Sequence, residues 1–311
     1  MRIAIFGVGG VGGYFGGRLA DAGNDIALIA RGAHRAAIES DGLRIESPKG
    51  NLVVRPALVT DTPADVGPVD LVIVGVKAWQ LDEAAEAMRP LIGPETTILP
   101  LLNGVEAPGR LASVLGRDGV LGGLCRVLAS LDGPGRIVHT GLEPTIVLGE
   151  MAGGQSLRSE RVRDVLVEAG IRTELPADIR VAMWEKFMLI ATWSGIGAVT
   201  RAPIGVWRAL PETREMAGEG LAEVLRVGQA RGIDLAEETV PRTMKAYDAT
   251  PEEGIASMQR DIMAGRPSEL EAQSGAVVRL GAAVGIRTPV HTFLHHALLP
   301  QERAARGQAR G

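Results

Sequence analysis

The sequence predicts an α/β fold in two parts, a strand-and-helix domain over residues 1–176 and an all-helical domain over residues 177–311. Three observations predict it. An apolar run, Ile3–Phe6, enters Gly7-Val8-Gly9-Gly10-Val11-Gly12, after which come a helix-compatible stretch and a second apolar run, Ile26–Ala30. Two further runs, the valine-rich Val69–Val76 and Thr96–Leu102, lack alternation and read as strands buried on both faces of a parallel sheet. Beyond Pro176 the strand signals stop and long apolar patterns of helical period take over.

The N-terminal stretch is the layout of a Rossmann-type dinucleotide-binding βαβ unit. Gly7 permits the tight turn out of the strand, Gly9 removes the Cβ that would keep the backbone from a pyrophosphate, and Gly12 lets the helix pack close to the sheet. The helix start then offers unpaired N–H groups to phosphates. A chain with 41 glycines produces chance matches to GxGxxG, so the weight lies in the context, a strand before and a helix and strand after. Arg31 ends the second strand, nineteen residues after Gly12. NAD enzymes usually carry Asp or Glu there, for the ribose hydroxyls, and a cation suits a 2′-phosphate instead. The expected cofactor is therefore NADP(H), with a charge-assisted hydrogen bond of about 1.5–3 kcal/mol favouring it roughly ten- to hundredfold.

Taken in order, residues 33–40 read as a short helix, and Leu43–Glu46 and Leu52–Val54 as a hairpin around Pro48-Lys49-Gly50-Asn51. The Val69–Val76 strand ends at Lys77-Ala78-Trp79-Gln80 and the Thr96–Leu102 strand at Asn103-Gly104. Ligands in open α/β sheets sit outside the carboxyl ends of strands, which directs Lys77, Gln80 and Asn103 to the crevice of the glycine loop. Gly119–Leu131, Arg136–Thr140, Pro144–Gly149 and Ile171–Leu175 read as further strands, with a turn at Gly133-Pro134-Gly135 and a helix over Arg158–Ala169. Helical patterns then cover residues 178–195, 212–231, 237–248, 251–264 and 268–284.

Composition narrows the class. The chain has 311 residues, 46% hydrophobic and 23% charged, enough for two domains with substantial cores. A net charge of −4 with both signs interspersed provides no field for nucleic acid or an acidic membrane surface. Cys125 is the only cysteine, which excludes an intramolecular disulfide and suits a packed core residue. Without a leader pattern or an apolar run of spanning length, a cytoplasmic protein is expected. The basic residues Arg303, Arg306 and Arg310 read as a frayed tail.

Chemistry-bearing residues gather in the second half. Trp184-Glu185-Lys186-Phe187-Met188-Leu189 sets a lysine in an apolar helix, a costly position unless it has a partner. Ser257 precedes Glu269 by twelve residues, with Glu271 close behind. A lysine and a glutamate are the pair that proton transfer to a carbonyl needs.

With these motifs the whole chain resembles the ketopantoate reductase (2-dehydropantoate 2-reductase) family. The resemblance rests on GxGxxG with Arg31, on Val76-Lys77-Ala78-Trp79-Gln80, on Asn103-Gly104, on Trp184-Glu185-Lys186 and on the Ser257–Glu269 spacing. It implies NADPH-dependent reduction of a branched 2-oxo acid to the 2-hydroxy acid, by a Rossmann domain joined to an all-α domain like the C-terminal part of 6-phosphogluconate dehydrogenase. It also implies Lys186 as general acid, Glu269 as its orienting carboxylate, and Ser257 on the substrate carboxylate. Asn103 is implied beside the nicotinamide and the reacting carbonyl, and Lys77 and Gln80 on the cofactor.

Two positions depart from the pattern. The family's usual motif has asparagines four and eight residues after the lysine, where this chain has Ile190 and Ser194. Ser194 stays among the substrate-binding candidates, and the loss of the amide at Ile190 points to a more apolar 2-oxo acid. The readings left open are a reductase of another ketone or imine and a non-catalytic NADP(H) sensor. His291, His295 and His296 share helical spacing, yet without an accompanying carboxylate they read as part of a surface helix rather than a metal site. The helix-rich second domain is a candidate homodimer face.

Overall fold

A computed structural model describes residues 1–141 and 143–308. The chain divides into one unit of Met1–Leu102 with Glu106–Arg180 and another of Asn103–Val105 with Val181–Gly311.

The first unit runs β1 (Arg2–Phe6), α1 (Gly10–Asp21), β2 (Asp25–Ile29), α2 (Gly32–Asp41), β3 (Leu43–Glu46), β4 (Leu52–Val54), β5 (Leu58–Thr60), β6 (Leu71–Val74), α3 (Leu81–Ala87), β7 (Thr97–Pro100) and α4 (Ala107–Leu115). It continues with β8 (Gly122–Arg126), β9 (Ala129–Leu131), β10 (Arg136–His139), β11 (Thr145–Gly149), α5 (Leu157–Glu168) and β12 (Arg172–Glu174). The apolar runs form a parallel sheet in the order β5-β2-β1-β6-β7, with Ile3 level with Ile26 on one side and Leu71 on the other. All four residues of β6 are buried, as a strand covered on both faces requires. The hairpin expected at residues 43–54 is present, and it joins a second sheet, β4-β3-β10-β9.

Helix α1 lies between these two sheets, and its glycines explain how. A Cβ at Gly16 would come within 2.8 Å of Ile5, whereas Cβ atoms at Gly13 and Gly17 would come within 2.7 Å of Ile137 and 2.3 Å of Ile45. The glycine motif marks the close approach at Gly12 alone; here one helix is packed tightly on opposite faces, and a side chain at any of these three positions would force the facing isoleucine to move.

The apolar stretch Gly119–Leu131, expected as one strand, is two. β8 pairs with β11, Cys125 level with Ile146, in a third sheet of order β12-β11-β8, while β9 pairs with β10 in the second. Continuous hydrophobicity reports burial but carries no mark where a chain changes sheets. Cys125 is buried, as expected.

The second unit is helical: α6 (Ile179–Thr200, which begins at the end of the first unit), α7 (Ile204–Ala209), α8 (Pro211–Ala230), α9 (Thr239–Ala249), α10 (Ser257–Met263), α11 (Ser274–Ala283) and α12 (Pro289–Ala305). Its core is built on Trp184, Phe187, Trp207, Leu221, Val224, Tyr247, Val277 and Leu294. Tyr247 meets Trp207 edge to face at 5.4 Å and donates its hydroxyl to Leu189 O at 2.6 Å, so the ring is buried with its polar end satisfied. Two expected helices are shorter than their patterns. Residues 251–256 form a turn closed by Gly254 N donating to Pro251 O, and residues 268–273 are held out of the helix by contacts described below.

The C-terminal basic residues are a further correction. Arg306 does not fray: its guanidinium donates to Glu302 Oε1 at 2.6 Å and to Ser268 O at 2.9 Å. Arg310 lies outside the described residues. Among the described residues, no helix is long and apolar enough to cross a membrane.

Candidate functional site

In the first unit the glycine loop makes a cradle. Gly7 leaves β1 with φ +96°, a conformation favourable only to glycine, and a Cβ there would press on Val76 and Gly75 at 2.7–3.0 Å. Gly12 packs so closely that its Cβ would lie 2.1 Å from Gly7 O. Gly9, the N-cap of α1, differs: a Cβ there would meet nothing within 4 Å. Its missing side chain leaves open space beside the helix start, where no side chain caps the helix and the first turn holds no acidic residue. The free first-turn N–H groups and that space fit a pyrophosphate. Gly10, between them, serves packing, since its Cβ would overlap Ala129 O at 2.2 Å. No neighbouring residue in the chain marks that job for Gly10, because Ala129 is distant in sequence. Val8 is buried under the loop and Val11 half-buried in the first helical turn.

Gly75 and Val76, resting on Gly7, lead into Lys77. The Lys77 N–H donates to Gln80 Oε1 at 3.3 Å, which closes the 3₁₀ turn Ala78–Gln80, and its ammonium lies 5.7 Å from the centre of the Trp79 ring. Arg31, after β2, is the N-cap of α2. Its guanidinium faces Glu83 on α3 at 3.5 Å. One turn along α2, Arg35 is gripped by Glu39 at 2.9 Å and Asp61 at 2.7 Å, which raise its pKa, while Arg35 holds the Asp61 carboxyl below its usual range.

The second unit holds Lys186, Ser194, Ser257 and Glu269, and it also takes in Asn103. Lys186 is half-buried on α6 beside buried Phe187 and Met188, and Ile190 and Ser194 follow it at four-residue steps on the same helical face. Asn103 Nδ2 donates to Glu269 Oε2 at 2.9 Å across 166 residues of sequence. Gly104 makes this reach achievable. It has φ +93°, and a Cβ would stand 2.8 Å from Ala272 O.

The segment bearing Glu269 is braced at both ends. Buried Glu302 accepts from Ser268 N, at 3.1 and 3.0 Å to its two oxygens, and from Ser268 Oγ at 2.5 Å. Glu271 pairs with His295 Nε2 at 2.9 Å and Arg279 at 3.2 Å, and His295 holds its carboxyl below the usual range. The two candidate carboxylates thus have different partners, Asn103 for Glu269 and the His295 and Arg279 side chains for Glu271. Ser257 is exposed at the start of α10, whereas Glu269 is 5% exposed, so the two occupy different environments. Gln273, which sequence reasoning passed over, is fully buried, and neither of its amide atoms has a hydrogen-bond partner among the described residues.

The histidines divide. His296 is exposed and His295 serves Glu271, but His291 is fully buried and does not belong to a surface. The helical spacing was right about the helix and silent about which face the neighbouring helices cover. Among the described residues no group of three or more His, Cys, Asp or Glu side chains could hold a metal ion.

Comparison with known proteins adds to this geometry. The family model described as ketopantoate reductase PanE/ApbA matches residues 3–153, and the model of its C-terminal part matches residues 178–302. The uncharacterized oxidoreductase YkpB of Bacillus subtilis is 31% identical over 294 residues, 93% of this chain and 95% of that protein. A 2-dehydropantoate 2-reductase of Mesorhizobium japonicum is 30% identical over 310 residues, covering 93% of this chain and 94% of its own. Among solved structures, a ternary complex of D-mandelate dehydrogenase with NADH and anilino(oxo)acetate superposes with a TM-score of 0.89 at 25% identity, covering 98% of this chain and 99% of that one.

Proposed function

The chain belongs to the ketopantoate reductase family, a family of pyridine-nucleotide-dependent oxidoreductases acting on CH–OH groups, and on that premise we propose that it uses NADPH to reduce 2-dehydropantoate or a related 2-oxo acid, with Lys186 as the general acid. The observation that carries the proposal is the Asn103–Glu269 hydrogen bond, a paired amide and carboxylate within the helical unit that also carries Lys186.

When bound, the reduced nicotinamide supplies the hydride. As negative charge builds on the ketone oxygen, the Lys186 ammonium stabilises it and then donates the proton, a contribution of typically about 10²–10⁴-fold. Glu269 orients that lysine and accepts from a substrate hydroxyl. Asn103, already bonded to Glu269, lies beside the reacting carbonyl, and Ser257 and Ser194 bind polar groups of the substrate. Arg31 supports NADPH, Gly7 to Gly12 cradle the pyrophosphate, and Lys77 and Gln80 contact the cofactor.

Ile190 favours a 2-oxo acid more apolar than ketopantoate, because a substrate hydroxyl facing it would lose a partner worth about 1–3 kcal/mol. Likeness to a D-mandelate dehydrogenase supports the same direction, since mandelate carries an apolar ring. The test follows NADPH absorbance with ketopantoate and a panel of aliphatic and aromatic 2-oxo acids. Turnover should be fastest with an apolar member, and Lys186→Ala should lose it about 10²–10⁴-fold while still binding NADPH. No turnover with any 2-oxo acid would replace this reading with that of an NADP(H) sensor, and undiminished turnover in Lys186→Ala would remove the lysine from the mechanism.

A further inference from the structure

We propose that Glu83 is a specificity-determining residue for the dinucleotide, a carboxylate that competes with the ribose 2′-phosphate for Arg31 and so limits the preference for NADPH over NADH. The inference rests on the NADPH reading and concerns how strongly that preference is expressed. Arg31 and Glu83 come from different elements, the N-cap of α2 and the first turn of α3, and their side chains are 65% and 75% exposed. They meet through a single contact of 3.5 Å.

Neighbouring charges are more firmly committed. Arg35 is gripped by two carboxylates at 2.7 and 2.9 Å, and Asp82, beside Glu83, is held by Arg110 at 2.8 Å. Arg31–Glu83 is therefore the pair in this group whose partners can be exchanged. A 2′-phosphate docking on the Arg31 guanidinium brings a second anion onto a cation that already faces one. Two unit charges about 4 Å apart in water-like surroundings change a binding constant by roughly fivefold, and a phosphate carries more than one charge. With NADH the phosphate is absent, and the Glu83 carboxylate has no second anion at Arg31 to oppose.

The experiment measures equilibrium dissociation constants for NADPH and NADH by fluorescence titration, in wild type and Glu83→Gln, at low salt and at about 0.5 M salt, where such exposed interactions are screened. Glu83→Gln should tighten NADPH about five- to tenfold at low salt, lose most of that gain at high salt, and leave NADH no tighter than in wild type. Unchanged NADH affinity also shows that the variant is folded. If wild type binds both nucleotides equally and Glu83→Gln creates a preference for NADPH, the role of Glu83 stands and the NADPH reading of the wild type falls. If wild type prefers NADPH and Glu83→Gln leaves the ratio unchanged, or shifts both nucleotides equally, the role of Glu83 is overturned and the NADPH reading survives.

Discussion

Acid should weaken the helical unit through one buried ring, that of His291. The imidazole is fully enclosed, with Nε2 at 3.2 Å from Gly220 O and 3.4 Å from Thr192 Oγ1, and Nδ1 at 3.4 Å from Ser274 Oγ. A carbonyl oxygen only accepts, so Nε2 carries the proton and Nδ1 accepts from the serine hydroxyl, which describes a neutral ring. Burial drops its pKa from 6.5 to about 4. The unfolded chain therefore binds a proton, between these two values, that the folded chain refuses. Stability from this group is complete above about pH 6.5 and is lost as the pH falls towards about 4. At about 1.4 kcal/mol for each pH unit of difference, the loss is about 3 kcal/mol. Glu223 works in the opposite direction: it accepts from the backbone N–H groups of Val290 and His291, and burial raises its pKa, so it adds stability as pH falls. A wild-type curve mixes the two effects. His291→Gln, whose amide N–H can still reach Gly220 O, removes only the titrating ring. Urea unfolding of both proteins between about pH 7.5 and pH 4 should show the wild type losing about 3 kcal/mol relative to the variant. Parallel curves would refute the assignment of a depressed pKa to His291.

Other perturbations separate packing from binding. Gly12→Ala drives a Cβ into Gly7 O and should cost more than about 2 kcal/mol of stability by thermal melting, whereas Gly9→Ala, with open space around its Cβ, should melt within about 1 kcal/mol of wild type yet bind NADPH poorly. A Gly9→Ala protein that binds NADPH normally would remove the pyrophosphate from that space. Asn103→Ala deletes the donor to Glu269 and should lower kcat/KM about ten- to hundredfold, the worth of a hydrogen bond to a carboxylate, with NADPH affinity measured alongside to show where the loss falls. Glu302→Gln replaces a buried carboxylate that joins Ser268 to Arg306 and should destabilise the protein by about 3–5 kcal/mol in chemical unfolding; a change under about 1 kcal/mol would show that the 268–273 turn holds without it.

The sequence by itself determined what depends on local period and local conformation. The strand-glycine-helix start, the valine-rich centre of the parallel sheet, the hairpin after α2 and the apolar helix carrying Lys186 all announce themselves within windows of a turn or a strand, because burial on one face or two writes a period into the chain. The position of Arg31 just after β2 was legible for the same reason, since the end of the second strand has a known place in a βαβ unit. Only tertiary structure decided which segments meet. It brought Asn103 to Glu269 and Arg306 to Glu302, divided the Gly119–Leu131 run between two sheets, set Gly13 and Gly17 of α1 against the isoleucines of a second sheet, and enclosed His291. These outcomes turn on close packing between parts of the chain far apart in sequence, and no single window records which neighbour will cover a face. The meeting of Glu83 with Arg31 belongs with them: each residue reads as an ordinary surface charge in its own segment, and only the fold sets the two side chains 3.5 Å apart.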